Sequence, residues 1–126
     1  MKKSLTPLGE TEMEVLHHVW ELGEATVKDV KERILEDRQV AYTTVMTVMK
    51  NLADKGYLKY HKDGVTYVYS PAQEPESVRF NLVKDLVKKV FKGSPSELVQ
   101  TLVEGEKLTK ADKEEILKLI DNMREE

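Results

Sequence analysis

The sequence predicts a mainly α-helical protein interrupted by one small β-hairpin. Three observations carry that expectation. Apolar residues recur at helical spacing in six separate segments. An Asp63-Gly64 pair sits between two short β-rich runs. Two prolines, Pro71 and Pro75, then cut the chain into a first part, residues 1–72, and a second, residues 73–126.

The first helix is expected over Glu10 to Leu22. Met13, Leu16, Val19 and Trp20 repeat at its core-facing spacing, and Gly23 stops it. A short second helix follows. Thr26 is its N-cap, Asp29 stands three residues on, and Val27, Val30, Ile34 and Leu35 form the apolar stripe. Glu36 to Gln39 is a polar loop. The third helix spans Thr43 to Lys55 on Val45, Val48, Met49 and Leu52, closed by Gly56. Thr43, Thr44, Thr47, Lys50 and Asn51 fall off that stripe. Tyr57 to His61 and Val65 to Tyr69 are the strands of a hairpin turning at Lys62-Asp63-Gly64, and Pro71 ends the second strand.

Helix, short helix, loop, third helix and hairpin, in that order, make a winged helix-turn-helix. The third helix is the element that enters a major groove. After the Pro71–Pro75 boundary, which holds no regular helix or strand by this reading, the second part is all helical. Val78, Leu82, Leu86 and Val90 run at i+4 up to Gly93. Ser94-Pro95-Ser96-Glu97 reads as a full capping box before Leu98, Val99, Leu102 and Val103. Thr109 with Asp112 starts the last helix, whose apolar residues are Ile116, Leu117, Leu119, Ile120 and Met123. Three helices of this length bury too little alone. Either they fold back on the first part or they pair with a second chain. The wide stripes and the proline hinge favour pairing, through Leu82, Leu86, Val90, Leu98, Leu102, Ile116, Leu119 and Ile120.

Composition narrows the function classes. The chain has 126 residues and a formal net charge of -3, with 40% apolar and 34% charged side chains. Absence of cysteine excludes disulfides, thiolate metal sites and cysteine nucleophiles. No apolar run reaches the roughly 20 residues of a membrane span. The start, MKKSLTPLGETEME, has no apolar stretch behind its lysines, so a cytoplasmic protein without membrane association is expected. Glu14/His18 and His17/Glu21 have helical i, i+4 spacing, but adjacent histidines diverge by about 100° and cannot simply share one ion. No phosphate loop, nucleophile elbow or metalloprotease motif occurs. No enzyme activity, metal or cofactor is expected.

The charge is uneven. Residues 1–72 carry net -1 and residues 73–126 net -2. Residues 40–69, in contrast, hold Lys50, Lys55, Lys59 and Lys62 against Asp54 and Asp63, a local excess of +2 to which a protonated His61 would add. Phosphate attraction grows with such local charge. Tyr42, Thr43, Thr44 and Thr47 put hydroxyls at the start of the third helix, where they and free backbone N–H groups can hold phosphates. A plain reading of Thr43 is helix capping. On a groove-facing helix, a threonine methyl can also meet a thymine methyl, and Asn51 can read an adenine edge. Lys62 would lie at the wing tip as a phosphate contact.

Several stretches resemble the penicillinase-repressor, or BlaI/MecI, family. They are Leu8-Gly9-Glu10-Thr11-Glu12-Met13-Glu14-Val15-Leu16, Trp20-Glu21-Leu22-Gly23-Glu24-Ala25-Thr26-Val27 and, most specifically, Ala41-Tyr42-Thr43-Thr44-Val45-Met46-Thr47. His61-Lys62-Asp63-Gly64, Tyr67-Val68-Tyr69-Ser70-Pro71 and Leu108-Thr109 extend the likeness over nearly the whole chain. The resemblance implies a homodimeric repressor of transcription on a palindromic double-stranded DNA operator. It puts Tyr42, Thr43, Thr44, Met46, Thr47, Lys50 and Asn51 on the reading helix, and His61 and Lys62 on the wing. It makes the C-terminal helices the dimerisation domain. Asn51 and Val65 stand where many members have arginine. Thr101-Leu102 stands where antibiotic-responsive members have a cleavable Asn-Phe bond, so a regulatory protease is unidentified here. The thiolate copper sensing of another branch is excluded. The alternative expectation is a winged-helix protein-interaction module that binds no DNA.

Overall fold

The computed structural model describes residues 7–105 and 108–123. The leader reading of the N-terminus therefore falls partly outside the described residues. Six helices and one hairpin run in the order α1 (Glu10–Leu22), α2 (Val27–Leu35), α3 (Tyr42–Asp54), β1 (Leu58–Asp63), β2 (Thr66–Pro71), α4 (Pro75–Val90), α5 (Pro95–Glu104) and α6 (Lys110–Met123). This is a mainly helical fold with a hairpin wing after the third helix. None of the described helices is long and apolar enough to cross a membrane.

Local chemistry sets the first three helices. Gly9 N–H donates to Glu12 Oε1 at the entrance of α1, and Gly23, at φ 82, closes it. Thr26 and Asp29 cap α2 reciprocally: Thr26 N–H donates to the Asp29 carboxylate at 3.0 Å, and Asp29 N–H to Thr26 Oγ1 at 3.1 Å. The start of α3 differs from the expected one. Ala41, not Thr43, is its N-cap and supplies no side-chain bond, so the helix begins one residue earlier, at Tyr42. Lys55 is the C-cap, and Gly56 beyond it takes the left-handed φ of 87 that a side chain would resist.

The hairpin also turns one residue later than Asp63-Gly64. Asp63 pairs with Thr66, leaving Gly64-Val65 as the two-residue loop. Gly64 has φ 66 while Val65 does not go positive, the type II′ arrangement. Cross-strand register selects this turn: Tyr60 pairs with Tyr69 and Lys62 with Tyr67. Ala25 adds an antiparallel bridge to Tyr69, with N–H···O bonds of 2.8 Å in both directions. Pro71 is the last residue of β2 and Pro75 the first of α4, so the proline segment reduces to residues 72–74.

Two compact units divide within α4, Met1–Lys84 and Asp85–Glu126. The core of the first is built from Val15, Leu16 and Val19 of α1, Val30 and Ile34 of α2, Val45, Met49 and Leu52 of α3, and Leu58 and Tyr69 of the hairpin. Val78 of α4 joins it at 2% exposure, and Leu82 packs partly against it. Arg79 sets its guanidinium 5.2 Å from the Trp20 ring centre, a cation–π contact that adds to the seating of α4 on α1.

In the second unit, Val87 is the buried residue among those described. Lys92, at φ 50, and Gly93, at φ 86, turn the chain out of α4. Only half of the expected capping box forms at α5. Ser94 Oγ accepts from Glu97 N–H, while Ser94 N–H goes to the Phe91 carbonyl at 3.0 Å. Thr109 and Asp112 cap α6 reciprocally. Leucine and isoleucine side chains of α5 and α6 stay open, among them Leu102, Leu117, Leu119 and Ile120.

Candidate nucleic-acid interface

The surface that a winged helix-turn-helix offers to DNA is the face of α3 turned away from the core. Burying Val45, Met49 and Leu52 fixes which face that is. At about 100° per residue, Thr43, Thr47, Lys50 and Asp54 lie within about 60° of one another on the opposite side. Tyr42, Thr43, Thr44, Met46, Thr47, Lys50 and Asn51 are all exposed. The side chains of Thr43, Thr44, Thr47, Lys50 and Asn51 make no hydrogen bond or ion pair with any described residue. Since Thr43 caps nothing, its hydroxyl is spare.

The wing flanks this face. A cleft of about 560 Å³ lies between α3 and the hairpin, lined by Met46, Thr47, Lys50, Asn51 and Asp54 on one side and Tyr60, Tyr67 and Tyr69 on the other. The tyrosines pack on each other. Tyr60 meets Tyr67 edge-on with ring centres 5.1 Å apart, and lies 5.6 Å from Tyr69. Burial, and then the neighbouring tyrosines, raise the Tyr69 phenol above its ordinary value, which keeps it neutral. Lys62 Nζ sits 5.3 Å from the Tyr67 ring centre.

Strand alternation separates the two wing candidates. Lys62 shares a hairpin face with Tyr60, Tyr67 and Tyr69. His61, opposite Val68, lies on the other face with Lys59. The local charge excess is also smaller on this exposed face of α3 than the sequence count suggests. Lys55 is turned away to Glu12, Nζ to Oε1 2.8 Å, and Asp54 lines the cleft beside Lys50.

Tyr60, Tyr67 and Asp54 are lining residues that the sequence reading did not single out. The helical wheel of α3 could have placed Asp54. The tyrosines needed the hairpin register. Lys28 and Lys31 of α2 were likewise missed. They border a neighbouring cleft with Tyr42, Met46 and Val65.

The histidine spacings on α1 are taken up by structural contacts. His18 Nδ1 accepts from Arg33 Nε at 3.1 Å, and Arg33 also pairs with Glu21 at 3.1 Å. His17 packs edge-on against Trp20, and Glu14 pairs with Arg38.

The residues read as pairing contacts lie on three helices. Leu82 is half-buried on the N-terminal core. Leu86, Leu98 and Ile116 are half-buried, whereas Val90, Leu102, Leu119 and Ile120 are exposed.

Comparison with known proteins agrees with this geometry. Residues 8–122 match the family described as penicillinase repressor. The methicillin resistance regulatory protein MecI of Mammaliicoccus sciuri is 26% identical over 114 residues, 90% of this chain and 93% of that protein. The transcriptional regulator BlaI of Mycobacterium tuberculosis is 37% identical over 82 residues, 64% of this chain and 59% of that protein. The solution structure of the DNA binding domain of the repressor BlaI has a similar fold, with a TM-score of 0.51 at 24% identity, covering 59% of this chain and 90% of that domain. A family match spanning nearly the whole sequence, on a winged fold with one face of α3 exposed, leads to one conclusion: the chain belongs to the penicillinase-repressor (BlaI/MecI) family of DNA-binding, winged-helix transcriptional repressors, a family of regulators rather than enzymes.

Proposed function

We propose that the protein acts in the cytoplasm as a homodimer on a twofold-symmetric operator. Two α3 helices, held about one helical turn apart, occupy successive major grooves and cover a promoter. Residues 1–72 form the DNA-binding part and residues 73–126 the dimerisation part. Thr43, Thr44, Met46, Thr47 and Asn51 face base edges, with Tyr42, Lys50, His61 and Lys62 on the backbone. Leu86, Val90, Leu98, Leu102, Ile116, Leu119 and Ile120 meet their counterparts in a second copy, with Leu82 at the edge of that surface. Repression is steric.

The observation that carries this reading is the face of α3. Three threonines, a lysine and an asparagine stand exposed beside the wing with no intramolecular partner among the described residues. Open apolar side chains on α5 and α6 support pairing, because such a surface is costly to leave in water. The test is a gel shift and footprint on DNA upstream of the protein's own gene, at low and at physiological salt. A competitor-resistant complex with twofold-symmetric protection is expected. A shift that vanishes at physiological salt on every fragment would reduce the interaction to phosphate attraction and sink the operator reading.

A further inference from the structure

The most exposed of the large apolar side chains among the described residues is Val65, at 96%. It forms the tip of the wing, in the second position of the Gly64-Val65 loop. Folding does not require it there, since a type II′ turn asks for glycine at its first position and no apolar group at its second. The loop itself carries no charge. Val65 is also not isolated: it borders the same cleft as Tyr67, Met46 and Tyr42, which are 43%, 43% and 47% exposed. Part-exposed apolar side chains of α3 and β2 thus accompany the wing tip in a cleft whose α2 wall carries Lys28, Lys31 and Glu32.

We propose that Val65 is a specificity-determining contact with the DNA minor groove beside the major groove that α3 occupies. Its methyl groups pack on deoxyribose and on the floor of A·T pairs. A branched side chain of this size fits a groove about 6 Å wide. Guanine places its N2 amino group on that floor, so a G·C pair displaces the contact. The wing tip thus reads A·T against G·C by apolar fit, with no phosphate neutralised. The inference rests on the DNA-binding reading of α3 and adds a second, independent reading element to it.

The experiment uses the full-length protein and duplexes it selects from a randomised pool. Affinities are measured against salt for the wild type, Val65→Ser and Val65→Arg. Replacing flanking A·T pairs with G·C should weaken the wild type on the order of tenfold, and inosine·C pairs, which lack the N2 amino group, should restore it. Val65→Ser should bind the A·T duplex on the order of tenfold more weakly, ignore the swap and keep the wild-type salt slope. Val65→Arg should steepen that slope by about 0.9 per protomer. Val65 is solvent-exposed, so all three proteins should melt alike. Wild-type binding with Val65→Ser indistinguishable on every duplex overturns the inference alone. So does an unchanged slope for Val65→Arg, which would place the tip away from DNA. A Val65→Ser effect on self-association without one on DNA affinity would assign the patch to a second copy and overturn it too. A wild type that enriches no duplex overturns the DNA-binding reading and the inference together.

Discussion

Lys55 Nζ lies 2.8 Å from Glu12 Oε1 and 3.0 Å from the Pro7 carbonyl oxygen, which fastens the residue after α3 to the entrance of α1. The same carboxylate oxygen accepts Gly9 N–H. Burial pushes the Glu12 pKa up, but the Gly9 and Lys55 hydrogen bonds and the Lys55 charge outweigh it. The net shift is downward.

A depressed carboxylate stabilises the fold above its unfolded pKa, about 4.3, and loses that contribution as pH falls through the lower folded value. Glu12→Gln is expected to cost about 1 kcal/mol at pH 7. The cost should shrink once the pH drops below the ordinary glutamate range. Urea midpoints of both proteins between pH 7 and pH 3 check this. A gap that stays constant over that range would deny the ion pair its role.

Positioning and reading should separate at the interface. Lys62→Ala should weaken all duplexes alike and reduce the salt slope by about 1. Thr47→Ala should leave the slope unchanged and alter base preference, by roughly 1–3 kcal/mol at one position. Binding titrations on cognate and random DNA decide between them. Identical loss by both variants on both DNAs contradicts the assignment.

Pairing through the C-terminal helices is tested at Leu119, which is 60% exposed, so its replacement opens no cavity. Leu119→Asp should give monomers in sedimentation at concentrations where the wild type is dimeric. It should keep the wild-type helical signal, since surface changes cost about 0.5 kcal/mol or less. Dimers that persist would move the interface off α6.

Thr26 closes the reciprocal cap of α2, and Thr26→Ala should destabilise the fold by about 1 kcal/mol. Thermal melts report this directly. Thr26→Ser should retain most of the stability, and a serine variant as weak as alanine would point to the lost methyl rather than the cap.

The helices were legible in the sequence because their signals are local. Gly23, the Thr26/Asp29 pair and Gly56 each mark an end within a few residues of the stripe they bound. The exposed face of α3 followed from the same periodicity. What was not legible depends on partners far along the chain. The turn shifted to Gly64-Val65 because Tyr69 must be buried and paired with Ala25, and local turn chemistry suits either register. Lys55 counted toward the local positive charge of residues 40–69 until its partner 43 residues away was placed. Tyr60 and Tyr67 read as ordinary strand residues until register put both in the cleft. Thr43 looked like a cap because threonine favours that position, yet the backbone turns into α3 two residues earlier, at Ala41.

The Ala25–Tyr69 bridge constrains how this protein can change in length. Ala25 holds β2 by bonds in both directions, and Ala72 N–H donates to the Tyr57 carbonyl at 3.0 Å, so the hairpin is pinned at its base. Inserting or deleting one residue within either strand would send every side chain beyond it to the opposite face and lift Tyr69 out of the core. Descendants of this sequence can therefore lengthen or shorten the wing only at Gly64-Val65, where the chain is free to try new reach against a new operator without renegotiating its fold.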